Sequence, residues 1–354
     1  MNKTLLVMAG GTGGHIFPAL AVADVLRQQG WRIVWLGNAQ GMEAKLVPAH
    51  GYECAWVDFG AVRGKGLLRK LMLPLNLFRA CMAARKVIKE VRPDVVLGMG
   101  GYITFPGGVM ARISGLPLIV HEQNAVAGLA NKVLSRIASR VLTGFPETLP
   151  QAQWVGNPVR AAIAELPVPE TRYAARGVNE PLHVLVIGGS LGAQALNQSV
   201  PAAVALLPLA QRPLLRHQTG PRDLAAVQAA YAQAGVAADV QSFIDDMAAA
   251  YGWADLVICR AGALTVAELA AAGVASVLVP FPHAVDDHQR VNAEFLVRGN
   301  AGHCVIQRDL TVETLAQLLR QSRDQLLQQA IAARALARPE AAQTVATICE
   351  ELAA

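Results

Sequence analysis

"LLVMAGGTGGHIFPAL", Leu5 to Leu20, opens with a short apolar run and continues into four glycines and one histidine. Leu5–Ala9 is apolar and ends at glycines, the pattern of a strand buried on both faces of a parallel sheet. Ala19–Gln29 follows as a helix that Gly30 closes, and Arg32–Leu36 is a second strand. Together they form one βαβ unit. The theme returns in "HVLVIGGSLGAQALNQSV", His183 to Val200: apolar strand, Gly-rich turn, helix. Two such openings, about 180 residues apart, predict an α/β chain of two Rossmann-like domains with parallel sheets facing a cleft.

Val95–Leu97, Leu118–Val120 and Val141–Thr143 extend the first sheet. Val240–Ser242, Leu256–Cys259, Ser276–Val279 and Cys304–Ile306 extend the second, with helices at Leu264–Ala272 and Asp287–Val297. The expected division is 1–157, a Pro-rich linker over 158–180 with a short helix, 181–330, and a final helix over 331–354 that packs back on the first domain.

A chain of 354 residues with 53% hydrophobic and 16% charged residues is long and apolar enough for two cores, and it is not disordered. The five cysteines have no metal or redox spacing, which fits buried thiols in a reducing compartment. Charge is uneven. Up to Asn157 there are 17 Lys/Arg against 8 Asp/Glu, a balance of +9; from Pro158 there are 14 against 18, a balance of −4. A basic first half suits an anionic surface or a phosphorylated substrate. The uncharged run Val95–Ala111 has five glycines and one proline, too broken for a membrane span. The apolar core Leu5–Ala9 is shorter than the roughly 7–15 residues of a signal peptide, so export is not expected.

A strand that feeds glycines and then a helix presents backbone N–H groups and the positive end of a helix dipole to phosphate. Gly10–Gly14, Gly98–Gly101 and Gly188–Gly192 are such turns. None has the dinucleotide spacing, and Asn38 stands where a ribose-binding carboxylate would end the second strand. No GxxxxGK[ST] occurs. A sugar nucleotide fits better: Gly188–Gly192 with Ser190 for its diphosphate, and Glu268, one turn into the helix of "CRAGALTVAEL", for its ribose.

In order, "MAGGTGGHIFPALAVA", "VLGMGGY", "HEQNAVAGLANK", "VGNPVR", "GGSLGA", "FIDDM", "RAGALTVAELAAAG" and "PFPHAVDDHQRVNA" resemble the bacterial lipid II-forming N-acetylglucosaminyltransferases of peptidoglycan synthesis. The resemblance implies the GT-B fold. It implies transfer of GlcNAc from UDP-GlcNAc to the C4 hydroxyl of MurNAc in lipid I, with inversion. It places Thr12, Gly13 and Gly14 near the transferred sugar and diphosphate, and Asn124 on GlcNAc. Arg160 and Ser190 would serve the phosphates, and the Ile244 backbone would read uracil. Ala263, Leu264, Thr265, Val266, Ala267 and Glu268 would line sugar and ribose, with Gln289 on a GlcNAc hydroxyl. Leu191 departs from a family glutamine, and "ITFP" after Tyr102 departs from a smaller pattern.

An inverting transfer needs a base, in-line attack and a stabilised leaving group. His15 is the base candidate, since imidazole titrates near neutrality; Glu122 is the alternative. Asp245–Asp246 and Asp286–Asp287 are not D-x-D pairs and read as helix caps, so no dedicated metal site is expected. A Mg²⁺ would ride on the diphosphate. Between Arg63 and Arg92, nine Lys/Arg and one acid mix with large apolar residues. Leu77, Cys81, Ala84 and Ile88 make a core-facing stripe, and Leu67, Leu68, Leu71, Met72, Leu73 and Leu75 exceed what a core absorbs. The expectation is peripheral attachment to the cytoplasmic face of the inner membrane through anionic lipid. Cell-wall synthesis proteins are further expected partners, and nucleic acid is not. The rival readings are another UDP-sugar GT-B enzyme with a lipid acceptor, and a non-catalytic nucleotide-responsive scaffold.

Overall fold

The computed structural model describes residues 3–59, 72–177, 180–189 and 191–353. The chain divides into two compact units, Met1–Arg160 with Arg338–Ala354, and Ala161–Ala337. In the first unit the strands are β1 (Thr4–Met8), β2 (Arg32–Gly37), β3 (Glu53–Trp56), β4 (Val95–Gly98), β5 (Leu118–Glu122), β6 (Arg140–Thr143) and β7 (Gln153–Trp154). They pair in parallel in the order β3-β2-β1-β4-β5-β6-β7. The second unit holds β8 (His183–Ile187), β9 (Leu214–Gln218), β10 (Asp239–Gln241), β11 (Leu256–Cys259), β12 (Ala275–Leu278) and β13 (Gly302–Cys304). These are also parallel, in the order β10-β9-β8-β11-β12-β13.

Why the opening run is wholly apolar is visible at β1. Successive strand side chains point to opposite faces. Leu5 and Val7 enter the cluster that includes Ile16, Leu20 and Leu26 of helix Gly13–Gln28. Leu6 and Met8 enter a second cluster with Ala80, Ala84 and Ile88 of helix Leu73–Val91. Both faces are covered, which is why Leu5–Met8 is apolar without a break, the polar Thr4 standing only at the start of the strand.

Three strands escape the hydrophobic pattern: β3, β7 and β9. Strand β9 reads "LLRHQ", yet His217 is fully buried. Burial pushes its pKa down to about 4, so the ring is neutral. Its Nδ1 lies 2.9 Å from the Tyr231 hydroxyl and its Nε2 3.1 Å from Asn197 Oδ1. Strands β3 and β7 are sheet edges with polar or half-exposed residues.

The segments around the division differ from the expected linker and single final helix. Helices Ala161–Ala164 and Pro169–Ala174 belong to the second unit. Helix Arg323–Ala335 also belongs there, opened by a Ser322–Gln325 capping box. Helix Ala341–Leu352 lies in the first unit, where Val345, Ala346, Ile348 and Cys349 join the cluster around helix Gly13–Gln28.

Arg172 secures helix Pro169–Ala174. Its guanidinium donates to the carbonyls of Tyr251 at 3.1 Å, Ala272 at 2.7 Å and Gly273. Two of these acceptors end helix Ala263–Ala272, where carbonyls have no partner within the helix. Arg172→Met removes the donor from the Ala272 and Gly273 carbonyls, while Tyr251 O keeps the Ala254 N–H at 3.2 Å. The expected loss is about 2–4 kcal/mol, or roughly 5–12 °C in Tm for a unit of this size. Calorimetry with an unchanged transition would contradict this role.

Candidate functional site

In an open parallel sheet, ligands bind beyond the carboxyl ends of the strands where the strand order reverses. In the first sheet that point lies between β1 and β4. The turn after β1 is "AGGTGG" and the turn after β4 is "MGGY". The two are in backbone contact. A Cβ on Gly101, where φ is 86°, would stand 2.4 Å from the Gly10 carbonyl oxygen. Thr104 Oγ1 lies 3.2 Å from Met8 O and 2.8 Å from Gly100 O, tying the turns together.

Helix Gly13–Gln28 begins earlier than expected, inside the glycine run. Thr12 is its N-cap in extended conformation, with no side-chain cap bond. Gly13 and Gly14 form its first turn and His15 is its third residue. His15 Nδ1 lies 2.9 Å from Gln123 Oε1. The contact sits on the bare Cα of Gly100: a Cβ there would stand 2.7 Å from His15 Nδ1 and 3.2 Å from Gln123 Oε1. Gln123 Nε2 in turn meets His121 Nδ1 at 3.0 Å and donates to His121 O at 3.1 Å. His121 Nε2 meets Gly156 O at 2.9 Å. Asn157 Nδ2 donates to Gln123 O at 3.0 Å. "HEQN" and "VGN" therefore converge on His15.

Glu122 is 2% exposed. Its carboxylate accepts the Asn124 N–H at 2.9 Å, the Gly128 N–H at 3.0 Å and Asn131 Nδ2 at 2.9 Å. The Asn124 amide adds a weaker bond at 3.4 Å. Glu122 thus clamps the 124–131 loop, and Asn124 is part of that clamp.

Sequence reasoning passed over Glu43, which is fully buried against the same glycines. Its Oε2 accepts the Gly11 N–H at 3.1 Å and its Oε1 the Asn38 N–H at 3.0 Å. The first turn already carries an anion of its own. Asn38 bonds the backbone of Phe59 and Gln40, so this position braces a loop.

In the second unit the order reverses between β8 and β11. A cleft of about 710 Å³ opens there, lined by Gly188, Gly189, Leu191, Arg260, Phe281 and His283 among others. Arg260, not singled out by the sequence, donates to Val279 O at 3.0 Å, Pro280 O at 3.2 Å and Gln307 Oε1 at 2.7 Å. It also lies over the Phe281 ring at 5.6 Å. Burial lowers its pKa, but a guanidinium stays charged. Among the described residues no ion pair to a carboxylate is seen for it; its partners are two carbonyls and an amide oxygen. Ser190 lies outside the described residues. Leu191 is 73% exposed at the rim of the cleft.

Gln218 at the end of β9 links two parts of this cleft: its Nε2 donates to Gly189 O at 2.9 Å, and its Oε1 accepts the Ile244 N–H at 3.0 Å. The Ile244 N–H is therefore committed within the protein. Glu268 is buried, with Tyr251 donating its hydroxyl to Oε2 at 3.1 Å. Ala263 and Val266 are buried, and Val266 is a core side chain; Leu264, Thr265 and Ala267 are partly exposed. Gln289 Oε1 accepts the Phe281 N–H at 2.9 Å. Arg160 lies in the first unit, 5.9 Å over the Phe17 ring.

Of the two acidic pairs, Asp246 is a helix cap, accepting the Ala249 N–H at 2.9 Å. Asp286 and Asp287 are not side-chain caps. Both have left-handed backbone, φ 53° and 52°, and Asp287 pairs with Arg290.

Residues 5–143 match the glycosyltransferase family 28 N-terminal domain, and residues 183–348 match the family's C-terminal domain. A protein of Dechloromonas aromatica is 60% identical over 100% of both chains. One of Aromatoleum aromaticum is 63% identical over 99% of this chain and 98% of its own. Both are named UDP-N-acetylglucosamine--N-acetylmuramyl-(pentapeptide) pyrophosphoryl-undecaprenol N-acetylglucosamine transferase. The crystal structure of Acinetobacter baumannii MurG is 43% identical, covers 99% of each chain and superposes with a TM-score of 0.88. A kitacinnamycin glycotransferase structure, 16% identical with a TM-score of 0.73, shares the fold. The two domain matches, with relatives at about 60% identity along the whole chain, make this protein a member of glycosyltransferase family 28.

Proposed function

We propose that the chain transfers GlcNAc from UDP-GlcNAc to the C4 hydroxyl of MurNAc in the undecaprenyl-diphosphate-linked muramoyl pentapeptide, lipid I, giving lipid II. The observation that carries this reading is the contrast between the two sites. The second-unit cleft holds an uncompensated arginine beside a glycine turn, suited to a nucleoside diphosphate. The first-unit turn is supplied with its own carboxylate and presents an oriented histidine, suited to a neutral hydroxyl.

In the mechanism, His15 removes the proton of the C4 hydroxyl as its oxygen attacks the anomeric carbon. The bond from that carbon to the β-phosphate oxygen breaks, and its electron pair leaves with UDP. Attack opposite the leaving group inverts the anomeric centre. Arg260, Arg160, Ser190 and the 188–192 backbone stabilise the departing diphosphate. Ile244 O reads the uracil N3–H, and Glu268 holds the ribose. In the first unit Thr12, Gly13, Gly14 and Asn124 serve the transfer step, and in the second unit Gln289 binds a GlcNAc hydroxyl. A Mg²⁺, where present, is carried by the diphosphate oxygens. Glu122 keeps its role as loop clamp.

The same reading places the enzyme on the cytoplasmic face of the membrane. No helix among the described residues is long and apolar enough to cross a membrane. On helix Leu73–Val91, Ala80, Ala84, Val87 and Ile88 face the core, with Leu77 and Cys81 partly buried beside them. The opposite side exposes Leu75, Phe78 (62%) and Met82 among Arg79, Arg85, Lys86 and Lys89. Apolar side chains interleaved with cations suit an anionic bilayer surface. Arg63, Lys65, Arg69, Lys70, Leu67, Leu68 and Leu71 lie outside the described residues.

Turnover of a lipid I analogue tests the chemistry. His15→Ala lowers kcat by about 10²–10⁴-fold, whereas Glu122→Gln lowers Tm and keeps kcat within about tenfold of wild type. The reverse pattern would transfer the base to Glu122, and absence of UDP release from the wild-type protein would favour a scaffold. Cosedimentation with phosphatidylglycerol vesicles tests the membrane face. Arg79→Glu with Arg85→Glu weakens binding by at least about tenfold; unchanged binding contradicts it.

A further inference from the structure

We propose that Gln123 and His121 are positioning residues that lock His15 in its Nδ1–H tautomer and reserve its Nε2 lone pair for the acceptor hydroxyl. The inference rests on the reading of His15 as base and adds the means by which the correct ring nitrogen is made basic.

The proton positions follow from groups whose roles are not adjustable. A carbonyl oxygen only accepts. Gly156 O, 2.9 Å from His121 Nε2, therefore requires a proton on Nε2. His121 is fully buried, and burial pushes its pKa down to about 4, so the ring is neutral and Nδ1 is an acceptor. The Gln123 amide group facing it must then be the NH₂. A second carbonyl gives the same answer independently: His121 O lies 3.1 Å from that amide end. Flipping the amide would set two oxygens against each other there. With the NH₂ fixed toward His121, Oε1 faces His15 Nδ1 at 2.9 Å. An amide oxygen cannot donate, so Nδ1 carries the proton and the neutral ring keeps its lone pair on Nε2.

The surrounding packing holds this chain in register. Asn157 Nδ2 fixes the Gln123 backbone, and the missing side chain of Gly100 leaves the room in which His15 and Gln123 meet. A free imidazole interconverts between tautomers, and the wrong one presents an N–H to the substrate hydroxyl instead of a base. Each link from the Gly156 carbonyl to His15 has one donor and one acceptor, so the tautomer is determined by backbone carbonyls two side chains away.

Full-length protein labelled with ¹⁵N-histidine reads the tautomer by long-range ¹H–¹⁵N correlation, with His15 assigned by the signal lost in His15→Asn. The expected wild-type signature is a protonated Nδ1 and a bare Nε2; an Nε2–H signature overturns the lock without any variant having to fold. Gln123→Met shifts His15 toward the Nε2–H form and lowers kcat about 10–10²-fold, with KM for UDP-GlcNAc within about twofold. Gln123→Glu restores an acceptor at Nδ1. Its negative charge favours the imidazolium, so the acid limb of the kcat–pH profile moves to higher pH while the plateau recovers part of the Met variant's loss. A Glu variant as damaged as the Met variant, with the limb unmoved, would reduce Gln123 to a packing role. If His15→Asn keeps wild-type kcat while the Nδ1–H signature is present, the base reading fails and the lock stands. If His15→Asn is inactive but the signature is Nε2–H, the base stands and the lock fails.

Discussion

Everything at the first site depends on two turns meeting without side chains between them. Strands β1 and β4 are neighbours and their connections depart on opposite sides, so their carboxyl ends open one crevice. The crevice is closed at its base by Gly101 against the Gly10 carbonyl, a contact that any Cβ would break. That contact brings helix Gly13–Gln28 close enough for His15 to reach Gln123 over Gly100. The glycines of "GGTGGH" and "GMGGY" are thus a demand of backbone approach before they are a phosphate motif.

Electrostatics then separates the sites. Both units present a glycine turn at a reversal point, and the turns look alike in sequence. In the first unit the Glu43 carboxylate accepts the Gly11 and Asn38 N–H groups. In the second unit no described carboxylate does this, and Arg260 adds positive charge to the cleft. One turn carries a carboxylate and the other an arginine, and this contrast is what the proposed division of acceptor and nucleotide rests on. Gln218 ties the glycine turn after β8 to the loop that follows β10, through Gly189 O and the Ile244 N–H.

Much of this was legible in the residues. The apolar runs ending in glycine located β1 and β8 to within a residue, because a strand covered on both faces is apolar over most of its length. The order of motifs identified the family. Polar residues that burial has neutralised or satisfied were not legible. The polar "RHQ" of β9 hides a strand in which His217 is buried and neutral, and nothing in the sequence around Glu43 marks it as buried against the first glycine turn. Val266 was grouped with the donor contacts because it sits in the motif, but helical periodicity turns it into the core. Gln123 and His121 lie beside Glu122, whose carboxylate drew attention as a base. Only the three-dimensional contacts show that Gln123, backed by His121, and not the acid, reaches His15.

The central claim is that the nucleotide is held in the second-unit cleft while the first reversal point serves the acceptor chemistry. Calorimetric titration of the full-length chain with UDP tests it most directly. The account predicts that Arg260→Met weakens UDP binding by at least about tenfold, while His15→Asn and Gly100→Ala leave it within about twofold. Loss of UDP affinity in the His15 and Gly100 variants, with Arg260→Met unaffected, would contradict it.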